Sequence, residues 1–139
     1  MTKVATTDSE LICRVDGLEI RAMERNGKYP AKEWADGLDK AMTGKLLAVA
    51  QLVANSIREG RPAVAGGRWC KVKNSRSGLM ELRVTAPGGR APHLRLLFIR
   101  EGAVLWAAHG FTKQKNQLQP ADIAAGDAVA TAWLEGRRR

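Results

Sequence analysis

Four side chains with usable chemistry stand inside stretches that otherwise read as β-strand. Arg83 lies in "GLMELRVT", His93 and Arg95 in "HLRLLFI", and His109 closes "AVLWAAH". An arginine among leucines, Phe98 and Ile99 is costly unless its charge is matched or used. Strand alternation puts Arg95 on one face with Leu97 and Ile99, and Arg83 on one face with Glu81 and Thr85. If the two strands are antiparallel neighbours, two guanidiniums can meet one phosphate, which arginine's planar fork grips bidentately. Pairing with a carboxylate such as Glu81, or snorkelling to solvent, is the alternative use of both charges. His109, at a strand end above a basic face, is placed to carry a proton, whereas His93 would share the face of Arg95. Each histidine could equally be structural. Lys113 and Lys115 follow on a loop, and Lys71, Lys73 and Arg76 precede the first of these strands; all five suit contacts to a phosphate backbone.

The charge distribution sharpens this picture. The net charge is +9 over 139 residues, with a sequence pI near 10.2. Residues 61–119 carry eleven Lys or Arg against Glu81 and Glu101, and the rest of the chain is balanced. The whole excess thus falls on one segment, a distribution that attracts polyanions rather than one that merely keeps a protein soluble.

The elements that must hold these residues can be read from periodicity. "LICRVDGLEIRAM" alternates weakly and reads as an edge strand broken at Gly17. Pro30 suits the first position of a short helix carrying Glu33, Trp34 and Leu38, with Gly37 near its end. Asp39 can cap a second helix whose stripe is Leu46, Val49, Val53 and Ile57. From residue 68 the period becomes two: Met80, Leu82 and Val84 face one way, Glu81, Arg83 and Thr85 the other. "APGGRAP" is a loop, and "HLRLLFI" and "AVLWAAH" form a hairpin turning at "REGA". Pro120 and Asp122 start a terminal helix that ends in Arg137 to Arg139. The expectation is one α+β domain over residues 11–139, with an antiparallel sheet leaving the arginine face clear of helices, after a disordered segment 1–10.

Several chemistries find no support. Neither a phosphate-binding loop motif nor a G-x-S-x-G elbow occurs, and the two histidines and the distant Cys13 and Cys70 make no metal-ligand spacing. No cofactor is expected, and both cysteines read as plain thiols. No apolar run is long enough to span a bilayer and the start lacks a signal-peptide core, so a cytoplasmic location is expected. Trp34, Trp106 and Trp133 read as core, whereas Trp69, beside Arg68 and Lys71, could stack on a base.

Taken in order, "GLMELRV", "LRLLFI" and "AAHGFTKQKNQLQPADI" resemble the motifs of the HigB-like, phage-derived branch of the RelE/ParE toxin superfamily, and residues 30–62 are similar to its paired amino-terminal helices. The resemblance implies a RelE-like fold and a type II toxin: a metal-independent endoribonuclease that cuts mRNA, usually on the ribosome, until a cognate antitoxin, often a helix-turn-helix protein, neutralises it. It implies that Glu81 and Arg83 match E-L-R, that Arg95 contacts the scissile phosphate, that His109 to Phe111 match H-G-F and that Lys113 matches the first lysine of K-K. Gln114 departs from the second lysine, and the general base differs among members. On this reading Arg83, Arg95, His109 and Lys113 are catalytic, and Lys71, Lys73, Arg76, His93 and Lys115 bind RNA. The rival readings are a ParE-like inhibitor of a protein such as DNA gyrase and a nucleic-acid-binding module without catalysis.

Overall fold

The computed structural model describes residues 9–60, 69–85, 93–113 and 119–138. The expected loop 86–92, Lys115, Arg68 and residues 1–8 of the expected disordered segment lie outside the described residues.

The chain begins with a hairpin, β1 (Leu11–Val15) and β2 (Leu18–Ala22), followed by α1 (Pro30–Asp36) and α2 (Lys40–Arg58). Strands β3 (Trp69–Lys71), β4 (Met80–Thr85), β5 (His93–Glu101) and β6 (Val104–Lys113) come next, and α3 (Pro120–Arg137) ends the chain. The six strands form one sheet in the order β1-β2-β6-β5-β4-β3. The architecture is α+β, as expected, with three differences of detail.

First, "LICRVDGLEIRAM" is two strands rather than one broken edge strand. Asp16 (φ 48°) and Gly17 (φ 87°) both adopt left-handed backbone, the geometry of a two-residue hairpin turn. Second, the sheet is mixed: β2 pairs parallel with β6, Ile20 opposite Leu105 and Ala22 opposite Ala107. A parallel pair needs a long crossover, and here everything from α1 to β5 lies between the two strands. Third, both faces carry helices. α1 and α2 cover one face, where Leu46, Val53, Leu82, Leu96, Phe98 and Leu105 form the larger core. α3 covers part of the other through Val129 and Ala130, against Leu79, Leu97, Ala108 and Phe111. The arginine face is therefore partly roofed and not open throughout.

Local sequence explains the helices. Pro30 stands at the start of α1, and the carboxylate of Asp39 accepts the Met42 amide at 2.8 Å to cap α2. The apolar stripe of α2 buries Leu46, Val49 and Val53 as anticipated. Close packing is set by two glycines. A Cβ on Gly110 would lie 2.1 Å from the indole of Trp34, and one on Gly126 would lie 2.9 Å from Leu79, so α1 and α3 approach the sheet on positions without side chains.

Candidate functional site

β4 and β5 are antiparallel neighbours in a register that sets Arg83 opposite Arg95 and Glu81 opposite Leu97. β5 and β6 continue the row: Arg95 faces Phe111, and Leu97 faces His109. A bulge between Leu97 and Phe98 shifts the register of β6, and His109 and Phe111 stack with ring centroids 5.0 Å apart. Arg83, Arg95 and His109 thus share the α3 face of the sheet, a face the sequence reading expected to be clear of helices.

Glu81 organises the cluster. Arg83 Nε donates to Glu81 Oε1 at 3.0 Å, and Arg95 Nε forms an ion pair with Glu81 Oε2 at 3.2 Å. Arg95 and Glu81 are almost wholly buried, whereas the Arg83 side chain is 46% exposed. Burial pulls the Arg95 guanidinium below its ordinary pKa, Glu81 opposes that pull, and Arg83 adds to it. The hydrogen bond that Arg83 donates to Glu81 instead raises Arg83, against the cost of its burial. Both stay cationic at any biological pH. Cys70, opposite Glu81 on β3, places Sγ 3.7 Å from Glu81 Oε1, and burial pushes its thiol up, so it stays protonated and unreactive.

A comparison within the molecule shows what is unusual here. On β1 and β2, Arg14 and Arg21 share Glu19 at 2.8 and 2.7 Å, and the buried Arg21 also meets Glu10 at 2.8 Å, so two guanidiniums have two carboxylates. At the β4–β5 cluster the ion pairs among the described residues give two guanidiniums one carboxylate. Taken by themselves, these three side chains sum to one positive charge next to a low-dielectric interior, where charges interact far more strongly than in water. Arg95 has almost no surface to offer a ligand. Of the two guanidiniums, Arg83 is the one open to solvent, while Arg95 shares Glu81 with it from the buried side.

His109 Nε2 lies 3.4 Å from Asp122 Oδ1 in the first turn of α3, and both side chains are about one-fifth exposed. A carboxylate in that position orients an imidazole. His93 is buried opposite Thr85 and Lys113, and its Nδ1 has no hydrogen-bond partner among the described residues. The backbone of Lys113 ends β6 beside His93.

Lys71, Lys73 and Arg76 are not gathered at this point. Lys71 faces Met80, so it sits on the opposite side of the sheet from Arg83 and Arg95. Lys73 and Arg76 are exposed in the turn before β4. That turn is fastened to α3: Asp127 accepts from Ser75 Oγ at 2.7 Å, Ser77 Oγ at 2.5 Å, and the Arg76 and Ser77 amides at 3.0 and 3.2 Å. Sequence reasoning missed this role of Asp127. The only signal was an acid in a helix following the turn-forming "KNSRSG".

No group of three or more His, Cys, Asp or Glu able to hold a metal occurs among the described residues, and no helix among them is long and apolar enough to cross a membrane. Compared with protein-family models, curated proteins and solved structures, the chain matches none.

Proposed function

We propose that this protein is a metal-independent endoribonuclease of the toxin type that its motifs resemble, held in check by a cognate antitoxin. The observation that carries the reading is the pair of guanidiniums on one carboxylate, Arg83 and Arg95 around Glu81, on the same sheet face as His109. The order of elements, with two helices ahead of the central strands and one after them, supports it as well.

RNA cleavage of this kind needs only the chain's own groups. The 2′-oxygen attacks the adjacent phosphorus in line and gives up its proton to a base. The new O2′–P bond forms, the P–O5′ bond breaks, and the departing 5′-oxygen takes a proton from an acid. The products are a 2′,3′-cyclic phosphate and a 5′-hydroxyl. Arg83 stabilises the charge that develops on the non-bridging oxygens, as preorganised donors do. Arg95 and Glu81 hold Arg83 in place. His109, oriented by Asp122, moves protons, with Lys113 next along the same strand pair. A cytoplasmic site of action and mRNA on the ribosome as target belong to this reading.

Induced expression with mapping of RNA 5′ ends tests it, together with purified protein acting on single-stranded RNA. New 5′-hydroxyl ends with 2′,3′-cyclic phosphates upstream are expected, unchanged by a chelator. Growth arrest with intact RNA and trapped gyrase–DNA complexes would replace this reading with the ParE-like one.

A further inference from the structure

Two concavities open beside α3. One, of about 690 Å³, has Arg25, Asn74 and Arg76 on one wall and Ile123, Ala128 and Thr131 of the helix on the other. The second, of about 530 Å³, lies at the end of the helix between Asn26, Trp106, Trp133 and Arg137. Arg25 and Ala132 line both, so they form one trough. Measured along α3 from Pro120 to Gly136 it runs about 24 Å at ~1.5 Å per residue. Its beginning adjoins the candidate site: Pro120 lines the trough, and Asp122, two residues on, contacts His109.

The charge of the trough favours an anion. Arg25 and Arg76 are exposed, and among the described residues neither has an ion-pair partner. The acids nearby are largely occupied. Asp127 is consumed by the Ser75–Ser77 turn, and Glu10 by Arg21, which leaves Glu24, bonded to the Gly27 amide. The far end is aromatic, with the Trp106 and Trp133 planes tilted 41° to each other. Trp106 and Trp133 stand 5.1 Å apart, and the Arg137 guanidinium, fixed by two bonds to Glu101, lies 4.3 Å over the Trp133 ring. Free cations in mid-trough followed by half-buried aromatic rings suit a single strand: phosphates on the first, the edge or open face of an unpaired base against the second.

We infer that this trough is a second RNA subsite, gripping single-stranded RNA that runs on from the cleaved bond. Arg25 and Arg76 hold its phosphates, and the Trp106–Trp133–Arg137 cluster contacts a base. The inference rests on the ribonuclease reading and assigns Arg25, Trp106, Trp133 and Arg137 a role that cleavage itself does not require.

The test compares a dinucleotide substrate with a 2′-O-methyl octanucleotide, which binds but lacks the attacking hydroxyl. The octanucleotide should bind at least about tenfold tighter than the dinucleotide. Arg25→Ala should weaken it about three- to tenfold and reduce the salt slope by about 0.7, the share of one single-strand phosphate. Ala128→Trp, at an exposed helix position, should plug the trough with no change of charge and weaken the octanucleotide likewise. Both variants should cut the dinucleotide at the parental rate. Parental octanucleotide binding in both variants, with the dinucleotide still cut, overturns the trough and leaves the ribonuclease reading standing. Failure of the parent to bind or cut either RNA overturns both. Displacement of nothing but a Glu-rich peptide by Ala128→Trp would assign the trough to a protein partner instead.

Discussion

Glu81 meets Arg95 across two neighbouring strands with 3.2 Å between carboxylate and guanidinium, and neither side chain has more than 3% of its surface exposed. A buried ion pair of this kind is weak support for stability while intact, but removing one partner strands the other charge in the interior.

Glu81→Ala should therefore destabilise the fold by about 3–5 kcal/mol. Urea denaturation checks this, with Glu81→Gln expected to lose less because it keeps a hydrogen-bond acceptor for Arg83. A midpoint for Glu81→Ala equal to that of the parent would show that Arg95 has another counter-charge.

Arg83 is the accessible member of the cluster, so its loss should separate activity from folding. We expect Arg83→Ala to lower the cleavage rate ~10²- to 10³-fold, the effect of losing one preorganised donor, with little change in the urea midpoint. Arg83→Lys should recover only part of the rate because it cannot grip a phosphate bidentately. RNA cut at the parental rate by Arg83→Ala would remove the cluster from the reaction.

Gly110 carries α1 directly. With a Cβ only 2.1 Å from Trp34 Cε3, Gly110→Ala must push the indole away and strain its bond to Thr112 Oγ1, at a cost of about 1–3 kcal/mol. The same substitution in a Trp34→Ala background should cost much less. A double-mutant cycle measures that coupling, and additive effects would contradict the contact.

Asp127 gives a pH signature. Burial pushes its carboxyl up, yet the bonds from Ser77, Ser75 and the Arg76 and Ser77 amides outweigh burial and hold it below the usual aspartate value. A lowered folded-state pKa contributes stability that is present above the unfolded value of about 3.9 and lost as pH falls through the folded one. Asp127→Asn should therefore be less stable than the parent at pH 7. The gap should narrow on acidification below about pH 4, as followed by thermal melts across pH.

Much of the local structure was legible because it is written in neighbouring residues. Pro30, the Asp39 cap, the Leu46–Val53 stripe and the turn at Gly102 each need only a few positions to declare themselves. The Asp16–Gly17 turn was equally local and was missed; its D-G pair is a strong hairpin signal that the weak alternation around it obscured.

What the chain by itself determined was the inventory: an α+β order of elements, a surplus of cations in residues 61–119, and Arg83, Arg95 and His109 on strands of the right parity. Tertiary structure alone decided the parallel pairing of β2 with β6, the roof that α3 makes over half the arginine face, the removal of Lys71 to the other side, and the burial that makes Arg95 a support for Arg83. The division has one physical cause. Side-chain parity and capping are fixed within a turn or two of chain, whereas exposure and strand partnership depend on which distant segment wins the packing against each face.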